Sequence, residues 1–348
     1  MLHASYKKHT LIFKRPGGTS RGVLSTKDSW FIKVWHGEGS DIVGIGECSI
    51  INGLSPDPVE RLEEKLKELV SNINNYFEVD LSEFPSISFG LETALLDLAS
   101  GGKRILFPSS FTNGEKSIPI NGLIWMGAFD FMRQQIIEKL EAGFDCIKLK
   151  IGAIDFKQEL QLLKMIRKDF SENELELRVD ANGAFKPEEA LEKLKQLSDY
   201  RIHSIEQPIR QNQWQEMAAL CEQSPIDIAL DEELIGLDDA MIPEMLDAVQ
   251  PQYIILKPSL VGGFKRSELF IENAEKRNIG WWVTSALESN IGLNAIAQWT
   301  ATLNNTMPQG LGTGQLFTNN IDSPLEIINA NLKYNPKASW GSLEMITA

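Results

Sequence analysis

The chain has 348 residues, 43% hydrophobic and 24% charged, a globular composition long enough for one large barrel or two domains. Its 34 basic and 48 acidic residues leave a net charge of −14, which argues against nucleic acid or an anionic membrane as a partner. Met1 to Lys14 holds no apolar signal core, and no stretch reaches the roughly 18 apolar residues of a membrane span. Cys48, Cys146 and Cys221 have neither CxxC nor metal-ligand spacing and read as the reduced thiols of a cytoplasmic protein.

In chain order, residues 1 to about 50 read as antiparallel sheet. Strands are expected over 11–13, 30–35 and 42–45, the last two joined by the turn Gly37-Glu38-Gly39. The polar, glycine-rich segment 15–22 reads as a mobile loop and a candidate lid; no GK[ST] follows, so it is not a phosphate loop. Ser55-Pro56-Asp57-Pro58 opens a helix with an apolar stripe of Val59, Leu62, Leu66 and Leu69. A second helix over 87–100 turns Leu91, Leu95 and Leu98 inward and stops at Gly101-Gly102. Residues 1–110 therefore form an α+β unit.

From Ile118 strands and helices alternate. Strands are expected over 118–124, 146–151, 175–180, 202–206, 226–231, 253–257, 281–284 and 309–312, with helices between them. Eight such repeats argue for an α/β fold of (β/α)8 TIM-barrel type over 111–319. The tail 320–348 has no barrel partner left and is expected to return to the N-terminal unit.

The strand around 146–151 carries Lys148 and Lys150 at alternate positions, hence on one face. A buried ammonium is costly unless paired, so an exposed edge strand is the plain alternative. Four later apolar runs each end in one ionisable residue: Asp180 before Ala181-Asn182, Glu206 before Gln207-Pro208, Asp231 before Glu232-Glu233, and Lys257 before Pro258. They recur at nearly equal intervals, which sets them at one level of the barrel mouth, where this fold places its active site. Three carboxylates meeting there repel unless a cation sits among them. Hard oxygen donors without Cys or His favour Mg²⁺ over Zn²⁺. Lys150 and Lys257 then flank the ion, an arrangement suited to proton abstraction beside a carboxylate and to holding the enediolate that results. Burial and the neighbouring cation are expected to depress a lysine's pKa toward the range of a base.

The ordered set Lys148-x-Lys150, Asp180-Ala181-Asn182, Glu206-Gln207-Pro208, Asp231-Glu232 and Lys257-Pro258 resembles the enolase superfamily, muconate-lactonizing subgroup, over nearly the whole chain. The resemblance makes 1–110 a capping domain. It implies Asp180, Glu206 and Asp231 as ligands of Mg²⁺, with Mn²⁺ as a substitute. It implies Lys150 as acid/base, Lys257 as its opposite partner, and Lys148 in support, with Asn182 and Glu232 around them. The stretches 18–24, 44–48, 285–292 and 310–314 are similar to the o-succinylbenzoate synthase family of menaquinone biosynthesis. That likeness implies a lyase dehydrating 2-succinyl-6-hydroxy-2,4-cyclohexadiene-1-carboxylate, with Ser20, Arg21, Ser285, Glu288, Gly312 and Thr313 as substrate contacts. Dipeptide epimerases and N-acylamino acid racemases of the same subgroup are the alternatives. The epimerases resemble each other in an Asp-x-Asp after the last strand, where this chain reads Gly312-Thr313-Gly314. A barrel that only binds a ligand is disfavoured, since no lysine or carboxylate of the set is missing.

Arg178 shares a face with Asp180, so it either touches the site or forms a structural ion pair. Ser285 and Glu288 either present backbone N–H groups to a carboxylate or belong to a helix N-cap. Trp281 and Trp282 read as core and helix-packing residues, and His203 as packing against a helix. The expected partner is a small-molecule carboxylate, and a homo-oligomer is compatible with the sequence.

Overall fold

The computed structural model describes residues 1–19, 22–152 and 154–347. β1 (Leu2–Thr19), β2 (Gly22–His36) and β3 (Val43–Ser49) form an antiparallel sheet in that order. β1 and β2 are much longer than expected. Their register shifts between Ile12 and Gly17, after which Gly17 pairs with Leu24 and Gly18 with Val23. The described part of 15–22 is therefore the distal end of a hairpin rather than an irregular loop. Glycines there have no side chains to show the alternation that marks a strand.

α1 (Val59–Ser71) buries Leu62, Leu66 and Leu69 as its spacing predicts, while Val59 is exposed. α2 (Pro85–Ala99) was expected to be one-sided but is buried widely, including Thr93 and Asp97. It lies between β3 and the second unit, where it meets the helix Pro258–Val261. On the β3 side the backbones nearly touch: a Cβ on Gly46 would come within 1.9 Å of the Gly90 carbonyl oxygen. Only glycine permits that approach.

The second unit begins with β4 (Ile118–Pro119) and β5 (Gly122–Ile124), followed by α3 (Phe129–Glu141) and β6 (Cys146–Lys150). Then come α4 (Phe156–Asp169), β7 (Glu176–Asp180), α5 (Pro187–Ser198), β8 (Ser204–Glu206), α6 (Trp214–Gln223) and β9 (Asp227–Leu230). After them follow α7 (Met241–Val249), β10 (Tyr253–Leu256), α8 (Pro258–Val261), α9 (Phe264–Glu275), β11 (Gly280–Val283) and α10 (Asn290–Thr302). β5 to β11 make one parallel sheet in chain order. The expected strand 309–312 is only two bridges wide. Gln309 pairs with Ile120 beyond one sheet edge and Gly310 with Thr284 beyond the other.

The expected strand 118–124 is split. β4 joins a small antiparallel sheet with β12 (Leu325–Ile328) and β13 (Asn331–Tyr334). The tail also reaches the first unit, through the Phe13–Phe317 bridge and through Ile321 and Ile346 beside Phe31 and Ile45. α8 packs on α2, joining the two units on another side. The main apolar core lies between the parallel sheet and its helices, and a separate core lies between the β1–β3 sheet, α1 and α2.

Inside the sheet, below the strand ends, Arg178 Nε donates to Glu176 Oε1 at 2.6 Å and Nη1 to the Pro308 carbonyl at 2.9 Å. Its guanidinium lies 4.3 Å from the Trp282 ring centre. Arg178 is thus a structural ion pair with a strand-start carboxylate and stands outside the site. His203 packs on Tyr253 at 5.2 Å and on Trp282, not on a helix.

Asp57 is buried before α1, and its Oδ1 accepts from the Ser86 backbone N–H and hydroxyl. Burial raises its pKa to about 6, with the Ser86 bonds only partly offsetting. A raised carboxylate pKa means stability is highest below the unfolded value near 4 and is lost as pH rises through about 6. Asp57→Asn keeps an acceptor for Ser86 without the charge. Relative to wild type it is expected to gain on the order of 1–3 kcal/mol at pH 8, the gain vanishing by about pH 4. Denaturant melts of both proteins across pH 4–8 check this; a pH-independent difference would contradict it.

Candidate active site

The sheet register sets the site residues. Lys150 pairs with Asp180, and Asp180 with Glu206, so three side chains stand abreast across β6, β7 and β8. The next partner of Glu206 is Ala229, not Asp231. Asp231 and Lys257 sit higher, just beyond the ends of β9 and β10, because strands in a closed or closing sheet are staggered. The expectation of a single level is corrected to a rising arc.

Along that arc cations and anions alternate. Lys150 Nζ donates to Asn182 Oδ1 and Asp180 Oδ2, each at 2.8 Å. Lys148 Nζ lies 3.0 Å from Asp180 Oδ2 and bonds Glu206 Oε2. Lys257 Nζ lies 3.9 Å from Glu206 Oε1 and bonds Asp231 Oδ2. The carboxylates are almost wholly buried. Asn182, with left-handed backbone (φ 44°), donates to Glu232 Oε1 at 3.0 Å, and so ties Lys150 to the segment after Asp231.

These charges set one another's protonation. Burial alone would raise Asp180, but Lys148 and Lys150 outweigh it and hold its carboxyl well below the usual range. Burial and the neighbouring Asp180 push Glu206 up. Burial would lower Lys148 and Lys257, yet Asp180, Glu206 and Asp231 outweigh it for the first, and Asp231 and Glu206 for the second. Both lysines are raised. The expected depression of lysine pKa is thus reversed for these two, because carboxylates are their nearest charged neighbours.

Among the described residues no three His, Cys, Asp or Glu side chains already converge as a metal cage. The donor chemistry nevertheless fits a hard divalent ion. Among those residues Glu206 Oε1 and Asp231 Oδ1 are buried oxygens without a hydrogen-bond partner. A buried acceptor left so is costly unless something else satisfies it.

Above the arc lies a cavity of about 670 Å³, lined by Lys148, Lys150, Asn182 and Lys257 below and by both units around it. Ser285, Gly312 and Thr313 are at its wall, and Ser285 Oγ and Thr313 Oγ1 are 2.5 Å apart. Ser289, not Ser285, caps α10. Glu288 is fully buried below the wall, where its Oε1 accepts from Ser259, so it is no direct substrate contact in this structure. Ser20 and Arg21 lie outside the described residues. The β1–β2 hairpin reaches the second unit at Gly18, whose carbonyl accepts from the Met126 N–H at 3.3 Å.

Sequence reading missed Trp125, Ile51, Asn52 and Leu54 in the lining, and the fully buried Gln207. Gln207 Oε1 accepts from the Asp231 and Glu233 N–H groups and steadies the turn that presents Asp231. Only its place directly after Glu206 could have signalled it.

Residues 132–337 match the family model described as "Enolase C-terminal domain-like". The chain is 52% identical to an o-succinylbenzoate synthase of Desulfotalea psychrophila, over 94% of this chain and 97% of that protein. It superposes on the crystal structure of MenC from Desulfotalea psychrophila with TM-score 0.86, at 48% identity over 95% of this chain and 99% of the other. A dipeptide epimerase from Enterococcus faecalis, solved with Mg and the dipeptide L-Leu-L-Tyr, has the same fold at 20% identity, with TM-score 0.81 over 95% and 96% of the two chains. Strand-end array, family model and full-length relatives agree: the chain belongs to the enolase superfamily, in the o-succinylbenzoate synthase family.

Proposed function

We propose that the chain is a lyase that dehydrates 2-succinyl-6-hydroxy-2,4-cyclohexadiene-1-carboxylate to o-succinylbenzoate, a step of menaquinone biosynthesis. The observation that carries the reading is the alternating array of Lys150, Asp180, Lys148, Glu206, Lys257 and Asp231 under a cavity lined by both units. Its kinship with full-length relatives of that activity supports it. The reading includes a barrel over 111–319 closed by Gln309–Gly310 as an eighth strand, under a capping domain of 1–110 joined by 320–348. The bridges on both sheet edges support that closure. A cytoplasmic setting fits the three free, buried cysteines.

Lys150, acting as the base, takes the ring proton alpha to the carboxylate, giving an enediolate. The same group, now an ammonium, returns that proton to the departing hydroxyl, so one lysine serves a syn elimination of water and the ring becomes aromatic. Lys257 remains a cation over the ring and the developing negative charge. Lys148 holds Asp180 and Glu206 in place. Asp180, Glu206 and Asp231 are the residues that would hold Mg²⁺, or Mn²⁺ in its place; when bound, such an ion supplies a Lewis acid for the substrate carboxylate.

Epimerisation of dipeptides is the second reading, since Lys150 and Lys257 stand on opposite sides of the carboxylates Asp180 and Glu206. Gly312-Thr313-Gly314, with no carboxylate for an amino group, disfavours it. Wild type offered the cyclohexadiene, dipeptides and N-acylamino acids, each with Mg²⁺ and with chelator, separates them. Fast dehydration that chelation abolishes is expected; efficient dipeptide exchange at both stereocentres without dehydration would overturn the reading. Lys150→Ala should lose at least about 10³-fold in kcat, and Lys257→Ala about 10²-fold or more. In deuterium oxide, exchange of the α-proton of a bound N-acylamino acid whose α-proton faces Lys150 is expected to survive in Lys257→Ala and to disappear in Lys150→Ala.

The hairpin yields a further expectation. A Cβ on Gly18 would fall 2.2 Å from the Met126 carbonyl oxygen. Gly18→Ala should therefore hold the hairpin off the barrel and raise KM about 10-fold, with a smaller effect on kcat. An unchanged KM would show that the contact does not serve substrate binding.

A further inference from the structure

A second buried polar assembly joins the β1–β3 sheet to the barrel, away from the lysine array. Glu47, on β3, is fully buried, and its carboxylate receives four hydrogen bonds. Oε1 accepts from the Ser289 N–H at 2.9 Å and from Ser29 Oγ at 2.7 Å. Oε2 accepts from Ser289 Oγ at 2.5 Å and from the Gly292 N–H at 3.0 Å. Ser289 is the N-cap of α10, so a carboxylate from one unit closes the first turn of a helix in the other. The free N–H groups and dipole of a helix N-terminus favour an anion there.

Lys27, also buried, lies 4.0 Å from Glu47 Oε1. Its Nζ donates to Ser29 Oγ at 3.1 Å and Ser49 Oγ at 2.6 Å, and Ser49 Oγ donates to the Ala286 carbonyl at 3.4 Å. Ala286 belongs to the stretch Ser285, Ala286, Leu287 that forms one wall of the cavity. The assembly therefore holds that wall at Ala286 and, two residues beyond its Leu287 end, at Ser289. A buried charge pair is a weak device for stability alone, because desolvation offsets most of its attraction. Its position behind a cavity wall needs another account.

We infer that Glu47 is a positioning residue for substrate binding: by receiving Ser289 and Gly292 it fixes the Ser285–Leu287 wall at the depth the substrate needs. The inference rests on the reading of this cavity as the dehydratase site. Through Glu47 the seating of the capping sheet and the shape of the pocket become one variable.

Glu47→Gln tests it. An amide puts an NH2 group at one of the two oxygen positions, and each position faces a backbone N–H, of Ser289 or of Gly292, so at least one bond is replaced by a clash of donors. The expected result is a KM raised about 10-fold with kcat within about 3-fold of wild type. Ser289→Ala, which removes one donor and keeps the carboxylate, should move KM the same way by a smaller factor and covers a Glu47 variant that fails to fold. Leu62→Ala, in the separate core of the capping unit, is the control: it should lower Tm and leave KM alone. Variants that lower Tm like Leu62→Ala with KM unmoved, or that lower kcat at constant KM, overturn the inference. Hydrogen exchange of 285–293 is read in the same proteins. If wild type fails to turn over the cyclohexadiene, the functional reading falls by itself. Faster exchange there in Glu47→Gln but not in Leu62→Ala then still supports the positioning role, and unchanged exchange overturns it.

Discussion

Three carboxylates on neighbouring strands, taken out of water, can coexist only if matching positive charge is held among them. Here three ammonium groups supply that charge in strict alternation, from Lys150 through Asp180, Lys148, Glu206 and Lys257 to Asp231. The parallel sheet gives the alternation its spacing. Its register sets Lys150, Asp180 and Glu206 side by side, and the stagger of the next strands lifts Asp231 and Lys257 around the arc. Lower in the same interior, Arg178 and Glu176 repeat the pairing on a small scale against Trp282, where it serves packing alone.

Such an array is useful only if water is kept from it and if it can exchange one partner for another. The N-terminal unit answers the first need. Its hairpin meets the second unit at Gly18, its segment 51–54 lines the cavity, and Glu47 seals the start of α10. The two buried oxygens of Glu206 and Asp231 that lack hydrogen-bond partners answer the second, since they are acceptors still to be satisfied. The raised Lys148 and Lys257 belong to a state in which ammonium groups carry the whole compensating charge.

Much of this was legible in the sequence because strand ends repeat. Short apolar runs, each finished by one ionisable residue, located Asp180, Glu206, Asp231 and Lys257, two lysines on one face of a strand located Lys148 and Lys150, and helix periodicity located Leu62, Leu66 and Leu69. What stayed hidden depends on contacts distant in sequence. Segment 15–22 looked like loop because its glycines carry no strand pattern, yet its described residues pair as a hairpin. Arg178 shares a face with Asp180, which left a site contact and a structural ion pair both open, because alternation fixes a face and not a depth. Glu288 looked like a ligand contact, and only the packing of α8 under the wall shows that Ser259 takes it. The direction of the lysine pKa values depended on which charge was nearest, and the sequence does not rank those distances.

The most direct test of the account is a crystal structure of the wild type grown with saturating Mn²⁺, with the ion located by anomalous scattering. The account predicts one ion in contact with oxygens of Asp180, Glu206 and Asp231, including the two oxygens now without partners. Lys148 and Lys257 should then be shifted away from the carboxylate oxygens they now hold. An ion found elsewhere, or none, with the lysine–carboxylate alternation unchanged, would contradict it.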